Sequence, residues 1–149
     1  MKTLFALFVF CSTGIACASD GVRCSWEGVA QKYSVNHFLL YSIAKTESNL
    51  NPVAIGRNSN GSYDIGLMQI NSSWLPKLRQ YGITEEHLLD PCVSLEVGAW
   101  ILRDNMSRLG NSWDAVGAYN ARNKDKRLVY AKKILHNLPP QAFLSDGTR

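Results

Sequence analysis

Two cysteines constrain this chain more than any other feature, because the front of the sequence reads as a leader that is cut away. Lys2 precedes an apolar run, Leu4 to Phe10, and then Ala16-Cys17-Ala18, a small-residue site of the kind signal peptidase cuts after. Residues 1–18 are therefore expected to be a removed signal peptide. A retained anchor is the alternative, but the run falls short of the roughly 20 residues a spanning helix needs. Removal takes Cys11 and Cys17 with it and leaves Cys24 and Cys92. In an oxidising compartment two remaining thiols suggest one disulfide, with two buried free thiols as the other possibility. A bridge closing a loop of about 70 residues would contribute on the order of 4 kcal/mol and tie the start of the chain to its middle.

Between and beyond these cysteines the spacing of apolar residues is mostly helical. Trp26, Val29, Ala30 and Tyr33 recur at three-and-four intervals, which predicts a helix over Cys24–Tyr33. Asn36 can cap a second helix running through Glu47, with Leu40, Ile43 and Ala44 as its apolar stripe and Asn51-Pro52 as its stop. Asn60-Gly61 is the strongest hairpin signal and flanks the alternating stretch Ser62–Ile65. Asn71 or Ser72 caps a short helix to Arg79, Thr84 opens another, and Pro91 begins a longer one ending at Leu109 before Gly110. Helices over 113–119 and 126–137 complete the domain, and Pro139-Pro140 begins a loose polar tail. The expected organisation is a leader at 1–18, one α+β domain at 19–138, mostly helical with a small β-hairpin, and a flexible tail at 139–149.

Composition matters chiefly for what it excludes. With 46% hydrophobic residues and 19% charged over 149 positions, the chain suits one packed domain and excludes coiled-coil, collagen-like and disordered classes. The three histidines are scattered singly and neither remaining cysteine has a partner at ligand spacing, so no metal and no cofactor are expected. Removing Lys2 leaves 15 of the 16 basic residues against 12 acidic ones, and six of them fall between Arg122 and Lys133. Such a patch could approach anionic peptidoglycan, but a basic run on a terminal helix is most often a solvated face, and an exported chain has little access to nucleic acid. No stable membrane insertion is expected, and the chain should be a monomer.

Glu47 is the first functional signal. It lies four residues after Ile43 and seven after Leu40, on the buried stripe of its helix. A carboxyl facing a core or cleft wall loses hydration, which disfavours its charged form and lets it donate a proton near neutral pH. Solvent exposure at the helix end, or pairing with Lys45, is the competing reading. Asp64 follows on the hairpin, so helix and strand could present two carboxyl groups to one cleft, the working parts of glycoside cleavage. An Asp near a turn is otherwise a local hydrogen-bonding residue.

Three segments carry a resemblance. Glu47-Ser48-Asn49-Leu50-Asn51-Pro52, Gly66-Leu67-Met68-Gln69 and Ala118-Tyr119-Asn120-Ala121 resemble, in order and spacing, the motifs of the family 1 lytic transglycosylases. The nearest resemblance is to small exported members associated with type III secretion, type IV secretion and conjugation systems. It covers about Cys24 to Ile134. It implies a lysozyme-like α+β fold and cleavage between N-acetylmuramic acid and N-acetylglucosamine in peptidoglycan, with Glu47 performing both proton transfers and closing a 1,6-anhydro ring. It also implies that Ser48 supports Glu47 and that Met68, Gln69, Tyr119 and Asn120 line the sugar subsites, with a secretion-system rod or channel subunit as a partner.

The sequence departs from this pattern in two places. Arg122 stands where the third motif usually continues with glycine. Asp64, with Asn60-Gly61-Ser62 before it and Gln69-Ile70-Asn71 after it, is similar to the second carboxylate of animal c-type lysozymes. Three functions follow as expectations: a lytic transglycosylase, a hydrolytic muramidase using Glu47 and Asp64, and a non-enzymatic envelope assembly protein on the same fold.

Overall fold

A computed structural model describes residues 24–143, so the expected leader and the last six positions lie outside the described residues. Among the described residues six α-helices accompany a small sheet: α1 (Trp26–Tyr33), α2 (His37–Ser48), α3 (Leu75–Leu78), α4 (Pro91–Leu109), α5 (Trp113–Gly117) and α6 (Lys124–His136). Polar side chains satisfy the helix starts, at Asn36 as its sequence position suggested and at Asp90, which the sequence reading did not single out. Asn36 Oδ1 accepts from Phe38 N at 2.8 Å, and Asp90 Oδ1 accepts from Cys92 N and Val93 N ahead of Pro91 at the first position of α4.

Trp26 meets Tyr41 edge-on at 5.7 Å, joining α1 to α2. Leu40 and Ile43 of α2 enter a core completed by Leu88, Leu102 of α4 and Ile134 of α6, none of which retains exposed surface. Cys24 and Cys92 form the disulfide, with Cα atoms 5.5 Å apart, and bind the chain just before α1 to the first turn of α4. No helix among the described residues is long and apolar enough to cross a membrane.

The expected hairpin is a three-stranded antiparallel sheet, β1 (Ile55–Arg57), β2 (Tyr63–Ile65) and β3 (Ile70–Asn71). Gly56 pairs with Asp64, and Asp64 with Asn71, so Asp64 sits on the central strand. A two-residue strand has no alternation to read, which is why β3 was not visible in the sequence. Between β2 and β3, Gly66 takes φ +74° and donates its N–H to the Ala54 carbonyl at 2.8 Å. A β-carbon there would stand 2.1 Å from the Leu88 carbonyl oxygen. The Gly66-Leu67-Met68-Gln69 turn can therefore lie directly on the 3₁₀ turn Glu86–Leu89.

Local boundaries differ from the sequence expectations for identifiable reasons. α2 stops at Ser48, before Asn51-Pro52, because Asn49 and Leu50 take φ +52° and +65°. The helix expected from Asn71 to Arg79 is a 3₁₀ turn, a single α-turn at α3 and a second 3₁₀ turn, and the segment after Thr84 is also 3₁₀. Segments this short lack the repeated buried face that selects the α-helix. The expected tail begins in order, with a 3₁₀ turn at Pro140–Phe143.

Candidate active site

Glu47 lies in the last turn of α2, where the buried stripe of Leu40 and Ile43 continues towards the sheet. Its carboxyl is half-buried and faces α6, whose Tyr130 hydroxyl donates to Glu47 Oε1 at 2.5 Å. Burial raises the Glu47 pKa from 4.5 to about 7. The Tyr130 hydrogen bond opposes that rise, the Asp64 charge adds to it, and Lys133 and the Asn120 amide oppose it. The placement read from helix periodicity is thus realised: near neutral pH the group holds its proton in a large fraction of molecules.

Asp64 approaches from β2. Its two oxygens accept separate hydrogen bonds, Oδ1 from Asn71 Nδ2 at 2.7 Å and Oδ2 from Asn58 Nδ2 at 2.9 Å. Asn71 also caps the following 3₁₀ turn through Oδ1, so one amide aims the carboxylate and anchors the chain behind it. Donors on both oxygens fix the orientation of the Asp64 carboxyl, whereas Glu47 is sheltered from water. Two carboxyl groups in contrasting environments provide the division of labour that glycoside cleavage uses.

Ser48 ties the acid's helix to the turn beyond the sheet by donating to the Leu67 carbonyl at 2.7 Å. Tyr119 ties the same turn to the end of α5 by donating to the Met68 carbonyl at 3.0 Å. Burial pushes the hydroxyls of Tyr119 and Tyr130 well above their ordinary pKa, and the nearby Glu47 charge adds to it, so both remain donors. Asn120 is exposed beside Glu47, in position to meet a ligand.

The structure corrects the expectation for Met68. Its side chain has no exposed surface and packs against Gly98 of α4, where a β-carbon would stand 2.6 Å from the methionine methyl. It is a core residue beneath the site, and its main-chain carbonyl is the part that Tyr119 uses. Gln69 takes φ +47° and donates its amide nitrogen to the carbonyls of Ala54 at 3.1 Å and Gly66 at 2.9 Å. Those two bonds hold β1 against the turn and occupy the donor that a sugar would otherwise receive.

Sequence reasoning missed Tyr130 and Asn58. Tyr130 lies four residues before Ile134 on the buried face of α6, which was a legible signal, but nothing in the spacing says that this face meets Glu47. Asn58 reaches Asp64 only because the β1–β2 turn folds back, with Asn58 N donating to the Ser62 carbonyl at 2.9 Å. Arg122 is exposed. Nearby, Arg127 braces the turn from α5 to α6 through the Ala121 carbonyl at 3.0 Å and Asp114 at 3.1 Å.

A cavity of about 480 Å³ is walled by Tyr33, Leu78, Tyr81, Val93 and Trp100 and includes neither Glu47 nor Asp64. Its carboxylate, Glu96, is paired with Lys32 at 2.5 Å and accepts from Tyr33. An apolar hollow with a paired anion offers no free acid.

Comparison with known proteins identifies the family. The family described as the Transglycosylase SLT domain matches residues 25–134, nearly all of the described chain. The chain belongs to the SLT-domain transglycosylases. As such it is a lytic transglycosylase acting on peptidoglycan, and the small-helix, small-sheet architecture is that of the lysozyme-like fold. Invasion protein IagB of Salmonella typhimurium is 50% identical over 117 residues, covering 75% of this transglycosylase and 73% of the relative. Protein IpgF of Shigella flexneri is 41% identical over 114 residues, covering 73% and 75%. An inactive mutant of the lytic transglycosylase Slt from Pseudomonas aeruginosa superposes with a TM-score of 0.65 at 20% identity. That match covers 87% of this transglycosylase but a quarter of the other chain, 25%, and speaks to the fold.

The Tyr130 contact yields a testable pH signature. Its hydrogen bond favours ionised Glu47, so Tyr130→Phe is expected to raise the acid's pKa and move the alkaline limb of the kcat/KM profile to higher pH. A weaker acid releases its proton less readily, so the maximal rate should fall roughly tenfold to a hundredfold, in keeping with about 1.5–3 kcal/mol for a hydrogen bond to a charged group. An unmoved limb would mean that Tyr130 only packs.

Proposed function

We propose that this transglycosylase cleaves the β-1,4 bond from N-acetylmuramic acid to N-acetylglucosamine and leaves 1,6-anhydromuramoyl ends. The observation that carries this reading is a half-buried Glu47, raised to about 7, with an Asp64 carboxyl that is fixed by hydrogen bonds on both oxygens and near enough for its charge to act on Glu47. Protonated Glu47 gives its proton to the glycosidic oxygen as the bond to muramoyl C1 breaks. Asp64 offsets the positive charge that develops at C1. The Glu47 carboxylate then takes the proton of the muramoyl C6 hydroxyl, whose oxygen bonds to C1 and closes the ring. The acid is restored and no water is consumed. Ser48 holds the helix end that carries Glu47, while Tyr119, through the Met68 carbonyl, and Gln69 fix the turn facing it. Asn120 is the exposed amide available to sugar hydroxyl or acetamido groups.

Asp64 also favours a second reading, hydrolysis in the manner of c-type lysozymes, in which water replaces the C6 hydroxyl. The two differ by one water in the product. Mass analysis of muropeptides released from purified sacculi is expected to show non-reducible anhydro ends. Predominantly reducible ends, one water heavier, would establish the muramidase instead.

The workplace proposed is the periplasm, reached by removal of the leader at 1–18, with the chain acting as a monomer without cofactor. The proposed role is to open the wall locally for an assembling secretion apparatus, through contact with a rod or channel subunit. Support comes from the family resemblance and from IagB, a relative named as an invasion protein. Deleting the gene should lower both the number of assembled apparatuses and the amount secreted. Unchanged values would remove this role while leaving the enzymology intact.

A further inference from the structure

Where α2 and α6 meet beside Glu47 there is a second recess that the bond-breaking steps do not use. A cavity of about 390 Å³ is lined by Lys45 and Thr46 of α2 and by Lys132, Lys133, His136 and Asn137 at the end of α6. Lys45 and Thr46 directly precede Glu47, and Lys133 lies three residues along α6 from Tyr130, about 4.5 Å of helix rise, near enough for its charge to act on Glu47.

The recess has a fixed floor and a charged rim. Asn137 Nδ2 donates to Thr46 Oγ1 at 2.9 Å, Thr46 donates to the Ser42 carbonyl at 2.7 Å, and Ser42 donates to the Asn137 carbonyl at 3.2 Å. Lys45, Lys132 and Lys133 are all exposed. Among the described residues the ion pairs are Lys32–Glu96, Arg108–Asp104 and Arg127–Asp114, so none of the rim lysines has a carboxylate within pairing distance. Lys45 rests on the Asn49 side-chain oxygen, a neutral partner. Like charges around one hollow repel each other, and an anion placed among them relieves that repulsion.

Peptidoglycan brings such an anion to this place. The muramoyl ring carries, through its lactyl group, a peptide with free carboxylates, and each extended residue spans roughly 3.3–3.6 Å. With the muramoyl C1 at Glu47, the first residues of that peptide extend far enough to reach side chains whose charge acts on Glu47, Lys133 among them. We infer that the recess rimmed by Lys45, Lys132 and Lys133 is a subsite for the peptide carboxylates on the muramoyl residue, through which the enzyme favours peptide-bearing strands over bare glycan. This rests on the reading of Glu47 as the acid at a muramoyl sugar.

The test compares soluble, uncrosslinked glycan strands in three forms: peptides intact, peptide carboxylates capped with methylamine, and peptides removed by an N-acetylmuramoyl-L-alanine amidase. Wild-type kcat/KM is expected to be higher on intact strands than on either other form by roughly threefold to tenfold, the range for a few exposed ion pairs. The double variant Lys45→Gln/Lys132→Gln should bring the three values to within about twofold. Lys133 is left in place because its charge also reaches Glu47. Equal wild-type rates on all three forms, or a preference that survives in the double variant, would overturn the subsite. A preference lost on amidase-treated strands but kept on capped ones would overturn it too, since peptide bulk and not charge would then be read. Should the wild type release no cleaved product from any form, the underlying assignment of Glu47 fails first.

Discussion

Glu47→Gln is expected to lower kcat by at least about 10² to 10⁴, the range associated with a positioned acid–base group. The same change should make the protein more stable at alkaline pH. Wild-type Glu47 keeps its proton to about pH 7 in the folded state, whereas the unfolded chain releases it near 4.5. Between those values the native state binds more protons, so wild-type stability falls as pH rises through that window and is fully present below it. The integrated loss is on the order of 3 kcal/mol. Glutamine does not ionise and escapes it. Thermal melts should therefore show the variant and wild type nearly equal at pH 4 and the variant clearly higher at pH 8. Equal melting temperatures at both pH values would place Glu47 in water, and unchanged wall-clearing activity would place the chemistry elsewhere.

Gly66→Ala should produce the largest loss of stability of any single methyl addition near the site. Its backbone is left-handed, at φ +74°, and the new carbon would overlap the Leu88 carbonyl at 2.1 Å, where neither backbone segment can yield cheaply. Strain and overpacking together predict a cost of about 3 kcal/mol or more, a drop of roughly 10 °C in Tm. Activity should fall in the folded fraction as well, because Ser48 and Tyr119 grip the turn that would be displaced. Gly61 supplies the control: it is also left-handed, at φ +84°, with nothing within 4 Å of the added carbon. Gly61→Ala should cost only about 1 kcal/mol. Equal losses at the two positions would show that backbone conformation alone, and not the contact with Leu88, makes Gly66 necessary.

Glu47 and Gly66 both stand in patterns that the amino-acid sequence displays openly. The stripe of Leu40, Ile43 and Glu47 is a local pattern, and a helix converts such spacing directly into a face. The caps at Asn36 and Asp90 are local too, each a side chain reaching a backbone amide two or three residues away. Short 3₁₀ turns and the two-residue strand β3 left no such trace, being too short to repeat a buried face or an alternation.

Residue order alone dictates a mostly helical domain with a turn-rich strand region, an out-of-place carboxyl and a second one near it. It also carries three motifs of one family. Which partners those groups meet is a matter of tertiary packing. Tyr130 lies 83 positions from Glu47 and touches it because α6 crosses α2. Met68, read as a sugar contact, became core because Gly98 leaves room for it under the sheet. Three lysines became one rim because the ends of two helices converge. Periodicity records which side of an element is dry, but which element does the drying depends on packing across the whole chain, and the proton affinity of Glu47 follows from that packing.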